Sequence, residues 1–278
     1  MIAAWLALLQ AAVVVPSGGH AATRSAAAAA ASHRVPGVHT VIVDAGHGGP
    51  DNGMHGPIGA GPRIYEKDIT LQVARQVGDA LESRGTRVVY TRTTDTLIAL
   101  DDRGKIANRA HGDLFLSIHV NAANPNWKDP GAARGFETYF LSEAHTEDAR
   151  RVEQMENSAV QYENAPPAAA SDDALGFILS DMQQNEHLRE SSELAATIQS
   201  RLASVEPGPD RGVKQAGFRV LVTAYMPAVL VEIGFGTNTA DAAYISSARG
   251  QRQLANVIAD AVMDFLRDHD RRVSGSAQ

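Results

Sequence analysis

Apolar residues along this chain recur in two rhythms. Short, nearly continuous runs at 38–43 (VHTVIV), 86–90 (TRVVY), 113–120 (DLFLSIHV) and 228–233 (AVLVEI) have the aliphatic, β-branched character of buried strands. Residues 136–141 (FETYFL) alternate and predict a further strand, and 218–222 (FRVLV) predicts a short one. Between these runs the period lengthens. Ile69, Val73, Val77 and Leu81 fall at every fourth position, which predicts an amphipathic helix over 66–83, stopped by Gly85. Helical patterns also cover 100–111, 146–162, 173–204 and 254–266, and the polar residues from Asp268 onward are expected to fray. Strands alternating with helices predict a single three-layer α/β domain with a mostly parallel central sheet. The stretch 143–187 interrupts the alternation and is expected to be a helical insertion, broken by the Ala/Pro-rich 165–170.

Two segments stand outside these rhythms. Residues 48–63 hold six Gly and three Pro, so an irregular loop separates the first strand from the first helix. Residues 2–15 (IAAWLALLQAAVVV) are apolar except for Gln10, too short to span a bilayer and of the length of an export-signal core. Small residues follow, although no Lys or Arg precedes the run. The expected organisation is an export signal at 1–22, a flexible linker at 23–37, a catalytic domain at 38–268 and a tail at 269–278. An exported protein of the periplasm or cell wall, with no stable membrane anchor, is the matching expectation.

Composition narrows the chemistry. Lys and Arg number 25 against 32 Asp and Glu, a formal charge of −7 with His neutral, so the basic excess of a general nucleic-acid binder is missing. Cysteine is absent, which excludes disulfides, thiol nucleophiles and a cysteine-linked lipid anchor. Any metal site must therefore use His and carboxylates.

Three of the strand-like runs carry polar residues that strand ends do not need: His47 after the first, His119 near the end of 113–120, and Glu232 near the end of 228–233. Sites in open α/β sheets form at the carboxyl ends of strands, so the three are expected to converge. Glu66 opens the helix after the Gly-rich loop and can face back toward them. His47, Glu66 and His119 then form a His₂Glu zinc site with one open position. Glu232, not a ligand, is placed to accept and return the proton of a zinc-activated water. No HExxH helix is present.

The segments VIVDAGHGGP (41–50), YEKD (65–68), LSIHVNA (116–122) and VLVEIGF (229–235) resemble the type-3 family of zinc-dependent N-acetylmuramoyl-L-alanine amidases. YTRTTD (90–95), LDDRGKIANR (100–109) and DRGVKQAGFRVL (210–221) also match, and the resemblance runs in order from about Thr40 to Leu266. It implies hydrolysis of the amide between N-acetylmuramic acid and L-alanine of peptidoglycan. By motif match the zinc ligands are His47, Glu66 and His119, and the general base is Glu232. Division-associated members carry a helix whose glutamate blocks the metal until an activator displaces it. Glu156 in MENSA resembles that glutamate, which implies autoinhibition and a protein activator. The alternative is another zinc peptidoglycan peptidase or amidohydrolase on the same fold. Arg92, Arg103 and Arg109 are expected to form structural ion pairs rather than to touch substrate.

Overall fold

The computed structural model describes residues 38–61, 63–163 and 174–275. The expected export signal, linker and Ala/Pro-rich break lie outside the described residues. Six strands form one sheet in the order β4-β1-β5-β8-β6-β7. They are β1 (Thr40–Ala45), β4 (Arg87–Tyr90), β5 (Leu114–Asn121), β6 (Phe136–Leu141), β7 (Asp210–Ala216) and β8 (Ala228–Phe235). All neighbours pair in parallel except β6 and β8, so β6 and β7 run against the other four. A two-residue hairpin, β2 (His55–Gly56) with β3 (Ile64–Tyr65), lies in the Gly-rich loop.

The strand period of two sends alternate side chains to opposite faces. Val41, Val43, Leu116, Ile118, Val229 and Val231 point to one face. There they pack on α1 (Glu66–Glu82), α4 (Ala174–Leu202) and α7 (Ala248–Gly275) through Val77, Leu194, Ile198, Ile258 and Val262. Ile42, Phe115, Tyr139 and Leu230 point to the other face. They meet α2 (Leu100–Arg109), α3 (Glu147–Asn157) and α5 (Arg219–Val222) through Ala107, Val152 and Leu221. The sheet is thus covered on both faces, which explains why β1, β5 and β8 are buried along their whole length. Among the described residues, no helix is long and apolar enough to cross a membrane.

Local chemistry sets the helix ends. Thr146 caps α3 by accepting the Ala149 amide at 3.1 Å, and Asn238 caps α6 (Thr239–Ser246) through the amides of Ala240 and Asp241. Three of the expected elements differ from the sequence reading. Residues 218–222 form the single turn α5 instead of a strand, and the edge strand is the polar 210–216. Phe218, Val220 and Leu221 are buried from a turn, so their apolar run reflects packing and not strand pairing. The last helix continues through the polar residues expected to fray. Pairs such as Arg267–Asp264 and Arg271–Asp268 line it, and Arg272 reaches Glu193 on α4 at 2.8 Å. The expected insertion ends inside an element: α4 begins at Ala174 and runs on into the core, where Leu194, Ala195, Ile198 and Leu202 are fully buried.

Candidate metal centre

At the carboxyl end of β1 the chain turns sharply, and His47 takes a left-handed conformation with φ 61°. A non-glycine residue held there costs on the order of 1–3 kcal/mol, so the surroundings must impose it. Two buried arginines do. The Arg103 guanidinium donates to the carbonyls of Ala45 at 2.7 Å and His47 at 3.0 Å, and that of Arg92 to Ala45 at 2.9 Å and Gly46 at 2.8 Å. Arg103 is itself anchored on Asp44, 2.9 Å away and fully buried. Burial works to raise the Asp44 pKa, but the Arg103 charge and hydrogen bonds from Ser117 and Thr91 hold it below the usual range. Arg92 and Arg103 thus act on the frame of the loop. Glycines leave the room this frame needs. A Cβ on Gly46 would sit 2.5 Å from the His119 ring, and one on Gly53 would sit 2.5 Å from the Glu66 carboxylate.

Four side chains converge above this turn. His47, Glu66, His119 and Glu156 each offer one ligand atom, and these atoms lie within 4.8 Å of one another. His47 Nε2 is 3.0 Å from Glu66 Oε1 and 3.1 Å from Glu156 Oε2. His119 Nδ1 is 3.1 Å and 2.8 Å from the same two oxygens. All four residues are buried.

The rest of each side chain is already committed. The Glu66 carboxylate accepts the amides of Met54 and Val120, both at 2.8 Å, which fixes the start of α1 against the end of β5. His47 Nδ1 lies 2.8 Å from the Asp51 carboxylate. That contact turns Nε2 inward as a neutral ligand, the arrangement that orients metal-binding histidines. His47 Nε2 and both Glu156 oxygens are buried and make no hydrogen bond. Buried polar atoms without partners are costly. Here they crowd together with lone pairs facing inward, so the donor set fits a divalent metal with nitrogen and oxygen ligands.

The protonation balance reflects the same crowding. Burial opposes charge on His47, yet the carboxylates of Glu66 and Glu156 hold it well above its ordinary range. Burial also opposes charge on His119, while Glu156 and then Glu66 lift it to about 10. Burial would raise Glu156, but the two imidazoles pull it down. Positive charge is thus strongly favoured in the cluster.

Glu232 stands beside the cluster. On β8 it is in register with His119 of β5, and both its oxygens are buried without a hydrogen bond. Burial first, then the neighbouring Glu156 charge, raises its pKa well above the carboxylate range. An isolated, elevated carboxylate next to a metal-type cluster is the setting of a general base or acid. Its neighbour on β6, Glu137, is equally buried but fully partnered.

All five candidate site residues from the sequence, His47, Glu66, His119, Glu156 and Glu232, therefore meet at this end of the sheet. The expected structural ion pair of Arg103 is present, but sequence reasoning missed its partner Asp44 and also Asp51, the partner of His47. Asp51 carried a signal, an acid four residues after a candidate ligand within a Gly-rich loop. Asp44 did not, because an acid at a strand end before a glycine reads as a turn residue.

The N-acetylmuramoyl-L-alanine amidase family profile Amidase_3 matches residues 41–264. The chain belongs to the N-acetylmuramoyl-L-alanine amidase family. Relatives of this amidase family agree. The chain is 33% identical over 226 residues to an uncharacterised Bacillus subtilis protein, YqiI, covering 81% of this chain and 84% of that protein. It is 31% identical over 242 residues to N-acetylmuramoyl-L-alanine amidase AmiA of Escherichia coli, covering 86% and 80%. The crystal structure of an N-acetylmuramoyl-L-alanine amidase from Clostridium difficile 630 matches with a TM-score of 0.60 at 31% identity, covering 83% of this chain and 97% of that one.

Proposed function

We propose that this protein is a zinc-dependent N-acetylmuramoyl-L-alanine amidase that cleaves the bond between N-acetylmuramic acid and L-alanine in peptidoglycan. The observation that carries the reading is the buried convergence of His47, Glu66, His119 and Glu156 beside the unpartnered carboxylate of Glu232. His47 through Nε2, His119 through Nδ1 and Glu66 through Oε1 are the ligands the contacts favour. Two imidazoles and a carboxylate, in a site without sulfur, suit zinc. A bound zinc supplies a Lewis acid that lowers the pKa of a water and polarises the scissile carbonyl. Glu232 takes the proton of that water and returns it to the departing amine of L-alanine. A metal held by these ligands would oppose the rise in pKa that burial imposes on Glu232.

Glu156 is the fourth inward group, and it comes from α3, the helix that covers this end of the site. Its carboxylate lies 2.8 Å from His119 Nδ1 and 3.1 Å from His47 Nε2, among the groups that would hold the metal. The described chain is closed: Glu156 would shield a bound metal, and α3 would have to move for substrate to enter. The relief of this block is assigned to a protein activator. Export to the periplasm or cell wall follows from the substrate and from the apolar N-terminal run.

The test is hydrolysis of intact peptidoglycan sacculi by the purified, zinc-loaded chain. Release of stem peptides with a free L-alanine amine, abolished by a zinc chelator and by Glu232→Ala, is the expected result. Glu156→Ala is expected to raise the rate at least about tenfold, the order set by freeing one charge-assisted ligand contact. Silence from both the wild type and Glu156→Ala, with folded protein and bound zinc, would overturn the amidase assignment.

A further inference from the structure

Helix α3 carries a second acid as well placed as Glu156. Asp148 Oδ2 accepts from Arg211 at 2.9 Å and from Lys214 at 3.1 Å, both on β7. Its other oxygen meets Arg151 of its own helix at 3.2 Å. The two β7 cations also hold Glu137: Arg211 Nε lies 2.9 Å from its carboxylate, and the Lys214 ammonium bonds the same oxygen. Glu137 needs nothing more, since it also accepts from Asn121 at 2.6 Å and from the Tyr139 hydroxyl at 2.8 Å.

These cations belong to the row of the site. His119, Glu232 and Glu137 sit opposite one another on β5, β8 and β6, and β7 is the next strand. Strands lie ~4.8 Å apart, so the cations flank Glu232 at roughly two strand spacings. Asp148 and Glu156 are eight residues apart, which along a helix is ~12 Å. The helix therefore offers one carboxylate to the metal cluster and another to the cation pair.

When α3 withdraws, Asp148 and Arg151 leave together. Arg211 and Lys214 then face a single buried acid, Glu137, with one positive charge in excess and donors unfilled. We propose that Arg211 and Lys214 form a carboxylate subsite for the peptide part of the substrate, and that Asp148 stands in for that carboxylate while the helix is closed. The inference rests on the amidase reading and adds to it a specificity determinant. The saccharide part of a muramoyl peptide is neutral once its lactyl carboxyl is in the scissile amide, so the anionic partner is the peptide. At ~3.3–3.6 Å per extended residue, the ~10 Å of two strand spacings or the ~12 Å along the helix spans about three residues, which places the recognised carboxylate on the third residue after the scissile bond or on the second beside it.

The test uses full-chain Glu156→Ala, loaded with zinc, on three soluble muramoyl peptides. One bears free carboxylates on residues two and three, and each of the others has one of these positions amidated. The expected result is a KM at least about tenfold lower for the free acid than for one of the amidated peptides, which also identifies the residue recognised. Adding Lys214→Gln collapses that ratio toward one, and Lys214→Arg preserves it. Calorimetry with the inactive, unblocked Glu156→Ala/Glu232→Ala chain should show the same preference in binding, without turnover. A merely structural Lys214 lowers activity on all three peptides alike and leaves the ratio intact, which would overturn the subsite. Equal KM values on all three peptides would also overturn it. Hydrolysis of none of them by any variant would overturn the amidase reading itself and this inference with it.

Discussion

Arg103 shows how much of a metal-type site is decided one residue away from it. Its guanidinium is buried and donates to Asp44 and to the carbonyls of Ile98, Ala45 and His47. Arg103→Ala leaves the fully buried Asp44 charge without its counter-ion, and breaking a buried pair on one side costs ~3–5 kcal/mol. Urea unfolding should therefore show the midpoint fall steeply, more than for any exposed arginine such as Arg109. Asp51 acts at a smaller scale. It holds the His47 ring in place, and removal of such a partner costs ~10–100-fold in metal affinity. Asp51→Asn should show that loss in a zinc competition titration while keeping its unfolding midpoint near that of the wild type. An unchanged affinity would remove Asp51 from the metal centre.

At the scale of elements, the strands and α1 were legible because each is buried on a regular period. The period of four in Ile69, Val73, Val77 and Leu81 survives as the buried stripe of α1. The β7 edge of the sheet was not legible. β7 is DRGVKQA, mostly half-buried, and its role depends on Arg211 and Lys214 reaching acids on β6 and α3 that no local pattern reveals. α6 was missed for the opposite reason: it is short, and its start rests on the Asn238 cap. Helix α3 is the element whose docking is most exposed to a single change. Val152 is fully buried against the sheet, although most of the helix is polar. Val152→Ala removes two methyl groups at ~0.8 kcal/mol each. The loss should fall on α3 itself, seen as faster hydrogen exchange of residues 147–157 with the core amides of β5 and β8 unaffected. Uniform acceleration across the sheet would mean that α3 is an integral part of the core.

At the scale of the molecule, stability should respond to two separate titrants, the proton and a metal ion. The proton acts at Glu206, in the turn between α4 and β7. Burial first, and then the nearby Asp241, lifts Glu206 to about 7, while one of its oxygens stays buried without a hydrogen bond. A carboxyl raised in the folded state favours folding while protonated. Its contribution is full below about 4.5 and is lost as pH rises toward 7, so it adds a decline in stability across that window. Glu206→Gln should flatten this part of the curve, and a wild-type slope in the variant would show that another group titrates there. A metal would act at the candidate centre, and its effect would be global because the four inward ligand atoms come from the β1 turn, α1, β5 and α3. An ion that binds only the folded chain stabilises it by ~2.7 kcal/mol at a hundredfold excess over its dissociation constant. For a domain of this size that corresponds to a Tm higher by about 5–10 °C. Chelation should lower Tm by that amount and zinc should restore it. Magnesium, which prefers six oxygens, should not. A Tm insensitive to both chelator and zinc would mean that the convergence of His47, Glu66, His119 and Glu156 is held by their own hydrogen bonds and charges, and the metal centre would have to be abandoned.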